Sequence, residues 1–168
     1  MASIKPLIMR ANRLLGANLV EQELVSIDDL DEANERLAEL MGGQTNAHQV
    51  SLLSILVNEK QALSEDQLLD IQLEEHGLGL IDLCDIDFAP ELREKLDLKA
   101  CWATLTVPFD LVEDTIYLAT AYYLSPAVRT YWEETSRKNV VWFVSTVDSI
   151  TRFLEGCEVS APTLAGNN

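Results

Sequence analysis

Two stretches of the sequence decide the fold. Residues 14–34 read LLGANLVEQELVSIDDLDEAN, and residues 52–72 read LLSILVNEKQALSEDQLLDIQ. When the first stretch is shifted by 38 positions, six of its residues meet an identical residue in the second. The identical pairs are Leu14 with Leu52, Leu15 with Leu53, Glu21 with Glu59, Ser26 with Ser64, Asp28 with Asp66 and Leu30 with Leu68. This internal repeat predicts two copies of one helix–turn–helix unit.

A serine occupies the same place in each copy, directly before the second helix of the unit. The hydroxyl of Ser26 or Ser64 can accept a hydrogen bond from an amide in the first helical turn, which has no partner within the helix. In the second copy, Gln67 follows three positions after Ser64, as a capping box requires. We therefore expect a helix to begin after each serine, and the equivalent Leu30 and Leu68 to be buried beneath it.

Beyond Gly77 the pattern changes, because runs of β-branched and aromatic residues alternate with helical spacing. Pro90 and Pro126 suit the first turn of a helix, and Gly156 is expected just past the end of the last helix. The predicted strands are 80–84, 103–109, 115–122 and 140–145, and the predicted helices are 89–96, 125–137 and 146–154.

These elements predict an α+β fold. A helical repeat subdomain, residues 1–76, is expected to pack on a small α/β sandwich, residues 77–157, of order β-α-β-β-α-β-α. Residues 158–168 are small and polar and are expected to form a flexible tail. The linker 42–46 contains two glycines and an asparagine, which favours a loop between the two repeats.

The charge of the chain limits its partners. Its 168 residues include 28 acidic and 12 basic ones, for a net charge of −16. Such a surface repels the phosphates of nucleic acid and of anionic membranes, so neither is expected as a partner. The excess charge has two interpretations, solvated helix faces or a docking surface for a basic protein. No apolar run approaches the length of a membrane span, and we expect a cytoplasmic protein with no direct membrane insertion.

The sequence lacks the usual signatures of catalysis and of cofactor or metal binding. It has no GxxxxGK[ST], GxGxxG, HExxH or GxSxG motif. His48 and His76 are interpreted as surface or helix-end residues. Three widely spaced cysteines, Cys84, Cys101 and Cys157, form no CxxC pair and are expected to be buried free thiols. We therefore expect neither enzymatic activity, cofactor nor metal.

The repeat resembles a known family. The segment 15–20, LGANLV, with 24–26, LVS, is similar to the paired repeats of type II secretion and type IV pilus assembly ATPases. Residues 53–68 resemble the second repeat of that family, and 75–83, EHGLGLIDL, and 115–121, TIYLATA, resemble the segments that follow. The resemblance spans roughly residues 13–155 and implies the domain that precedes the motor, although this sequence contains no motor motif.

Two functions follow from the resemblance. The first is a protein-interaction adaptor that binds a scaffold or motor component of a secretion or pilus apparatus. The alternative is a receptor for cyclic di-GMP, which some family members bind with an arginine before the Leu-Gly pair and with leucines beneath the bases. The residues that this alternative implies here are Arg13, Leu15, Gly16, Leu19, Leu30, Leu53, Ser54, Val57 and Leu68.

This chain departs from the cyclic di-GMP pattern. The arginine positions hold Leu14 and Leu52, and the glycine of the second copy is Ser54. The glutamines that close the repeats are replaced by Leu37 and Glu75. A doubly charged anion should bind poorly to an acidic protein without those arginines, so cyclic di-GMP is expected to be an unlikely ligand.

Overall fold

The computed structural model describes residues 4–43, 50–88 and 90–160. Within them, the first repeat consists of α1 (Lys5–Glu21) and α2 (Ile27–Met41). The second repeat consists of α3 (Leu52–Ser54), which continues as a π-helical turn (Ile55–Glu59), and α4 (Glu65–Glu74).

The two predicted serine caps are present. The Ser26 hydroxyl accepts a hydrogen bond from the amide of Asp29 at 3.1 Å, and the Ser64 hydroxyl accepts one from the amide of Gln67 at 3.3 Å. Two acidic residues in the first turn of each helix add favourable charge at its positive end. Each cap fixes the start of the second helix of its repeat.

The turn between the helices is also repeated. Glu23 in the first copy and Gln61 in the second both adopt the left-handed conformation, with φ of 60° and 53°. They are separated by the same 38 positions as the capping serines. A single left-handed residue reverses the chain after the first helix and leads into the apolar residues before each cap.

The two copies differ by one residue within the first helix. In copy one, the amide of Leu24 donates to the carbonyl of Leu19, whereas in copy two the amide of Ala62 donates to the carbonyl of Leu56, one position further back. The extra residue is taken up by the π-helical turn, as such turns commonly do. Leu56, which is fully buried like Leu19, therefore occupies the place that the sequence alignment gave to Val57.

The remaining elements form a four-stranded mixed sheet with helices. The strands are β1 (Gly79–Leu80), β2 (Thr106–Val112), β3 (Thr115–Thr120) and β4 (Asn139–Val144), in the spatial order β1-β4-β3-β2. β2 and β3 are an antiparallel hairpin, and β4 lies parallel to both β3 and β1. The helices are α5 (Pro90–Glu94), α6 (Leu98–Thr104), α7 (Pro126–Ser136) and α8 (Val147–Ser160).

The structure confirms the α+β class and corrects three details. The predicted first strand is only two residues long, because the carboxylate of Asp82 caps a 3₁₀ turn over Leu83–Asp85. Residues 98–104 form helix α6, where the sequence predicted the beginning of a strand. Helix α8 continues through Gly156, which was expected to lie beyond its end. The start of the predicted helix 89–96 falls on Ala89, which is outside the described residues.

A single buried apolar cluster includes leucines of both repeats and residues of the sheet and of α6 and α8. Polar contacts also join the helical repeats to the elements that follow them in the chain. Ser125 precedes α7 without capping it with its side chain, and its hydroxyl instead donates to the carbonyl of Ala11 in α1 at 2.8 Å. The carboxylate of Glu65, at the start of α4, accepts from the amide of Val147, at the start of α8, at 2.8 Å.

Candidate functional site

A groove with a volume of about 820 Å³ lies between α1 and α2. We call it the α1–α2 groove. Its lining residues are Lys5, Pro6, Met9, Arg10, Asn12, Arg13, Ala17, Leu30, Asn34, Leu37, Ala38 and Met41.

The α1 wall follows from helical periodicity. Lys5, Met9, Arg13 and Ala17 are spaced four residues apart, so their side chains form one ridge along the helix. The opposite face of α1 is buried in the core, so this ridge is turned away from it. Met9 is 59% exposed, which is unusual for a large apolar side chain.

The α2 wall is apolar. Leu30, Asn34, Ala38 and Met41 recur at spacings of four, four and three residues, and Leu37 lies beside them. Asn34 contributes the only polar side chain on this wall of the groove. The acidic residues of α2 are therefore absent from the surface that faces α1.

The electrostatics of the α1–α2 groove are opposite in sign to those of the whole chain. Its twelve lining residues include three cations, Lys5, Arg10 and Arg13, and no carboxylate, although the chain has 28 acidic residues. Neither Arg10 nor Arg13 forms an ion pair with any residue in the described ranges. Both guanidinium groups are thus available to an acidic partner.

Two charged residues of α2 that lie outside the groove lining, Glu32 and Arg36, contact the second repeat. Glu32 pairs with Lys60, and Arg36 pairs with Glu59 at 2.7 Å and with Glu39 at 3.3 Å. Arg36 donates to the carboxylate of Glu59 and Lys60 donates to that of Glu32, and these hydrogen bonds raise the pKa of both cations. These exposed pairs hold α2 against the π-helical turn and leave its groove side uncharged.

Gly16 allows α1 and α2 to approach each other beneath the groove. A β-carbon at this position would lie 2.8 Å from Cδ1 of Leu30 and 3.3 Å from Cδ2 of Leu52. Leu30 is consequently seated against the backbone of α1 and is only partly buried, in contrast to its repeat partner Leu68, which is 2% exposed. The expectation that both leucines are buried is met by Leu68 alone.

The structure separates the residues of the cyclic di-GMP alternative. Arg13 and Leu30 line the α1–α2 groove, and Gly16 lies beneath it. Ser54 lines a different pocket of about 300 Å³ with Val50, Ser51 and Ile55. The others are Leu15, Leu19, Leu53 and Leu68, which belong to the closed core, and Val57, which is half-buried. No exposed bed of leucines is formed by these residues.

Sequence reasoning missed Lys5, Met9 and Arg10 as candidate site residues. Their helical spacing with Arg13 is visible in the sequence, but nothing there indicates which face of α1 is left outside the core. The internal repeat begins at Leu14, whereas α1 begins at Lys5 and carries the cations in its first half.

The remaining candidates for chemistry are dispersed. Within the described ranges no three potential metal ligands cluster. His76 packs edge-on against Tyr123, with ring centroids 5.4 Å apart, and His48 lies outside the described residues. Cys101 and Cys157 are buried as expected, but Cys84 is exposed beside Asp82, whose negative charge raises the pKa of the thiol.

Comparisons with known proteins identify solved structures with a similar fold. No family model matches the chain, and no curated protein shows significant similarity to it. Two solved structures of the N-terminal domain of XpsE share 18% and 19% identity with it, with TM-scores of 0.54 and 0.51. They cover 86% and 92% of this chain, and 94% and 97% of the solved chains are matched.

A structure of MshE with cdg is also similar. It shares 19% identity and a TM-score of 0.51, over 84% of this chain and 96% of the solved chain. The chain therefore has the fold of these proteins, and the resemblance inferred from the repeat is confirmed at the level of the fold. No helix of the described ranges is long and apolar enough to cross a membrane.

Proposed function

We propose that this chain is a non-catalytic protein-interaction module that docks a protein segment in the α1–α2 groove, as an adaptor of a secretion or pilus apparatus. The observation that carries the proposal is the groove itself, an apolar surface with three cations and no carboxylate on a strongly acidic protein. The shared fold with the N-terminal domain of XpsE supports the type of apparatus.

The composition of the groove suits a protein partner. Exposed apolar surface with a charged rim is typical of interaction sites on soluble domains, and methionines such as Met9 and Met41 adapt their shape to a partner. Leu30 and Leu37 supply branched apolar surface on the other wall. A partner that covers these side chains would gain apolar burial and would pair its acidic groups with Arg10 and Arg13.

The test compares three immobilised chains in a lysate of the source cells. Met9→Glu introduces a carboxylate into the groove, whereas Ile27→Glu introduces the same charge at an apolar residue that is 64% exposed outside it. We expect proteins, identified by mass spectrometry, that are retained by the wild type and Ile27→Glu but lost from Met9→Glu. Equal retention by all three chains would contradict docking in the groove.

A cyclic di-GMP receptor remains the second candidate. Arg10, Arg13 and Lys5 offer three cations in one groove, and the similar structure of MshE is a complex with cdg. Against this function, the leucines that should lie beneath the bases are enclosed in the core. We expect calorimetry to detect no binding of cyclic di-GMP at micromolar concentration.

The calorimetric experiment is decisive because the groove contains the relevant arginine. A saturable micromolar isotherm that Arg13→Ala abolishes would make the receptor the preferred function. One charge-assisted hydrogen bond contributes about 1.5–3 kcal/mol, so the loss of a real contact would weaken binding by at least about tenfold. The variant Lys99→Ala removes an exposed cation outside the groove and is the control.

A further inference from the structure

We propose that the occupant of the α1–α2 groove is an amphipathic helix of a partner protein, with carboxylates along one flank of its apolar stripe. This inference rests on the proposed docking function and specifies the chemistry of the partner.

The dimensions of the groove correspond to a short helix. The α1 ridge from Lys5 to Ala17 is about 18 Å long at about 1.5 Å per residue, and the α2 wall from Leu30 to Met41 is slightly shorter. A helix of about three turns has the same length. The side chains on both walls form ridges with helical spacing. A third helix can pack against such a surface with its own i, i+4 ridges.

The polar groups of the groove favour a helix over an extended segment. An extended peptide would bring unpaired backbone amides and carbonyls against the groove, and it would need partners for them. The side chain of Asn12 is already used, since it donates to the carbonyl of Ile8 and accepts from the amide of Leu52. Asn34 is the one uncharged polar side chain left on the lining. A helix bonds its own backbone and needs no such partners.

The distribution of charge in the groove predicts which flank of the bound helix carries the carboxylates. All three cations belong to the α1 wall, and the α2 wall carries no charge. Arg10 and Arg13 are three residues apart on one face of α1, so their guanidinium groups can reach carboxylates on successive turns of a neighbouring helix. The carboxylates of the occupant should therefore lie on the side of its stripe that faces α1, with apolar or neutral residues facing α2.

The residues outside the described ranges lack the carboxylates that the proposed occupant carries. Residues 1–3, 44–49, 89 and 161–168 contain no aspartate or glutamate. Nucleic acid would offer negative charge, but it would be repelled by a protein of net charge −16. An acidic helix on another protein carries few charges, which Arg10 and Arg13 can match locally.

The test uses the full chain and fluorescently labelled synthetic helices of about four turns. The probe has leucines in an i, i+3, i+4, i+7 stripe with glutamates along one flank. A second peptide has lysines in place of the glutamates, and a third is a scrambled sequence of the same composition as the probe. The charge-reversal variant is Arg10→Glu with Arg13→Glu, and its control is Lys95→Glu with Lys99→Glu, which changes the charge equally outside the groove.

We expect the glutamate peptide to bind the wild type and the control at least about tenfold more tightly than it binds the charge-reversal variant, measured by fluorescence anisotropy. The lysine peptide should show the opposite preference, and the scrambled peptide should not bind. In nuclear magnetic resonance spectra, the shifts caused by the glutamate peptide should centre on Met9, Arg13 and Leu37.

Several results would overturn the inference. Tighter binding of the lysine peptide to the wild type, or binding that ignores charge reversal, would reject the acidic flank. Absence of binding by both helical peptides, with lysate proteins still lost from Met9→Glu, would reject a helix while leaving the docking function in place. If the wild type binds phosphatidylglycerol vesicles and the charge-reversal variant does not, the groove binds lipid. If the wild type sediments as a dimer and the charge-reversal variant as a monomer, the groove binds a second copy of the chain.

Discussion

The hydroxyl of Tyr122 donates a 2.5 Å hydrogen bond to Oδ1 of Asn12, a residue 110 positions earlier in the chain. The same hydroxyl accepts from the amide of Leu53, and Oδ1 of Asn12 also accepts from the amide of Leu52. This buried network joins α1, α3 and the segment that follows β3. Because a buried group without a partner is costly, each member depends on the others.

Replacement of Tyr122 by phenylalanine should destabilise the fold. Tyr122→Phe leaves the amide of Leu53 without its acceptor, and we expect the free energy of unfolding to fall by about 1–3 kcal/mol. Urea denaturation followed by circular dichroism measures the loss. Tyr117→Phe, at a half-exposed tyrosine of β3, is the control and should unfold close to the wild type. Equal stabilities of the two variants would show that the network contributes little.

The equivalent leucines of the two repeats should respond differently to truncation. Leu68 is 2% exposed, so Leu68→Ala should cost about 2–5 kcal/mol. Leu30 is partly exposed in the α1–α2 groove, and Leu30→Ala should cost less because less apolar surface leaves the core. Leu80→Ala, at a leucine that is 55% exposed, serves as the reference in urea denaturation. A larger loss for Leu30 than for Leu68 would contradict the observed packing.

Gly16 and Leu30 should be energetically coupled. A methyl group at position 16 would press on Leu30, so Gly16→Ala in the wild type should gain little from the better helix propensity of alanine. In the Leu30→Ala background part of this pressure is removed, and Gly16→Ala should be more favourable by at least about 0.5 kcal/mol. A double-mutant cycle in urea measures the coupling. Additive effects would mean that the two residues do not touch in solution.

The exposed thiol should react slowly for a cysteine at the surface. The carboxylate of Asp82 raises the pKa of Cys84, so less thiolate is present near pH 8 and ionisation is delayed as the pH rises through 9.0, the ordinary value for a thiol. Asp82→Asn removes the charge and retains an oxygen that can accept from the amide of Cys84. We expect faster reaction with a disulfide reagent at pH 8 in this variant and no change in Asp87→Asn. Equal rates in all three proteins would refute the electrostatic cause.

Local capping chemistry made the first half of the fold predictable. Ser26 and Ser64 fix helix starts through bonds to residues only three positions away, so the sequence pattern contains the whole interaction. The sequence analysis did not predict helix α6, because the apolar residues at the end of this helix continue directly into the β-branched residues of β2. The Asp97 carboxylate that caps α6 at the amide of Ala100 was the available signal.

The candidate site was less predictable. The family resemblance implied that Arg13 and a set of leucines contact the ligand, but the structure encloses most of those leucines in the core. The exposure of Met9, and the lack of an ion pair between Arg10 and any described residue, depend on how α1 packs against residues far away in the chain. These long-range contacts determine which half of α1 lines the groove, and the local spacing of residues does not reveal them.

Under the proposed docking function, the unequal lengths of the two first helices predict one binding groove per chain. The positions that match 5–13 of α1 are 43–51, which contain no lysine or arginine. Copy two instead accommodates its extra residue in a π-helical turn. The two copies therefore differ in structure, and under the proposed function only the first copy provides the binding groove. A titration of the acidic helix should saturate at one equivalent per chain.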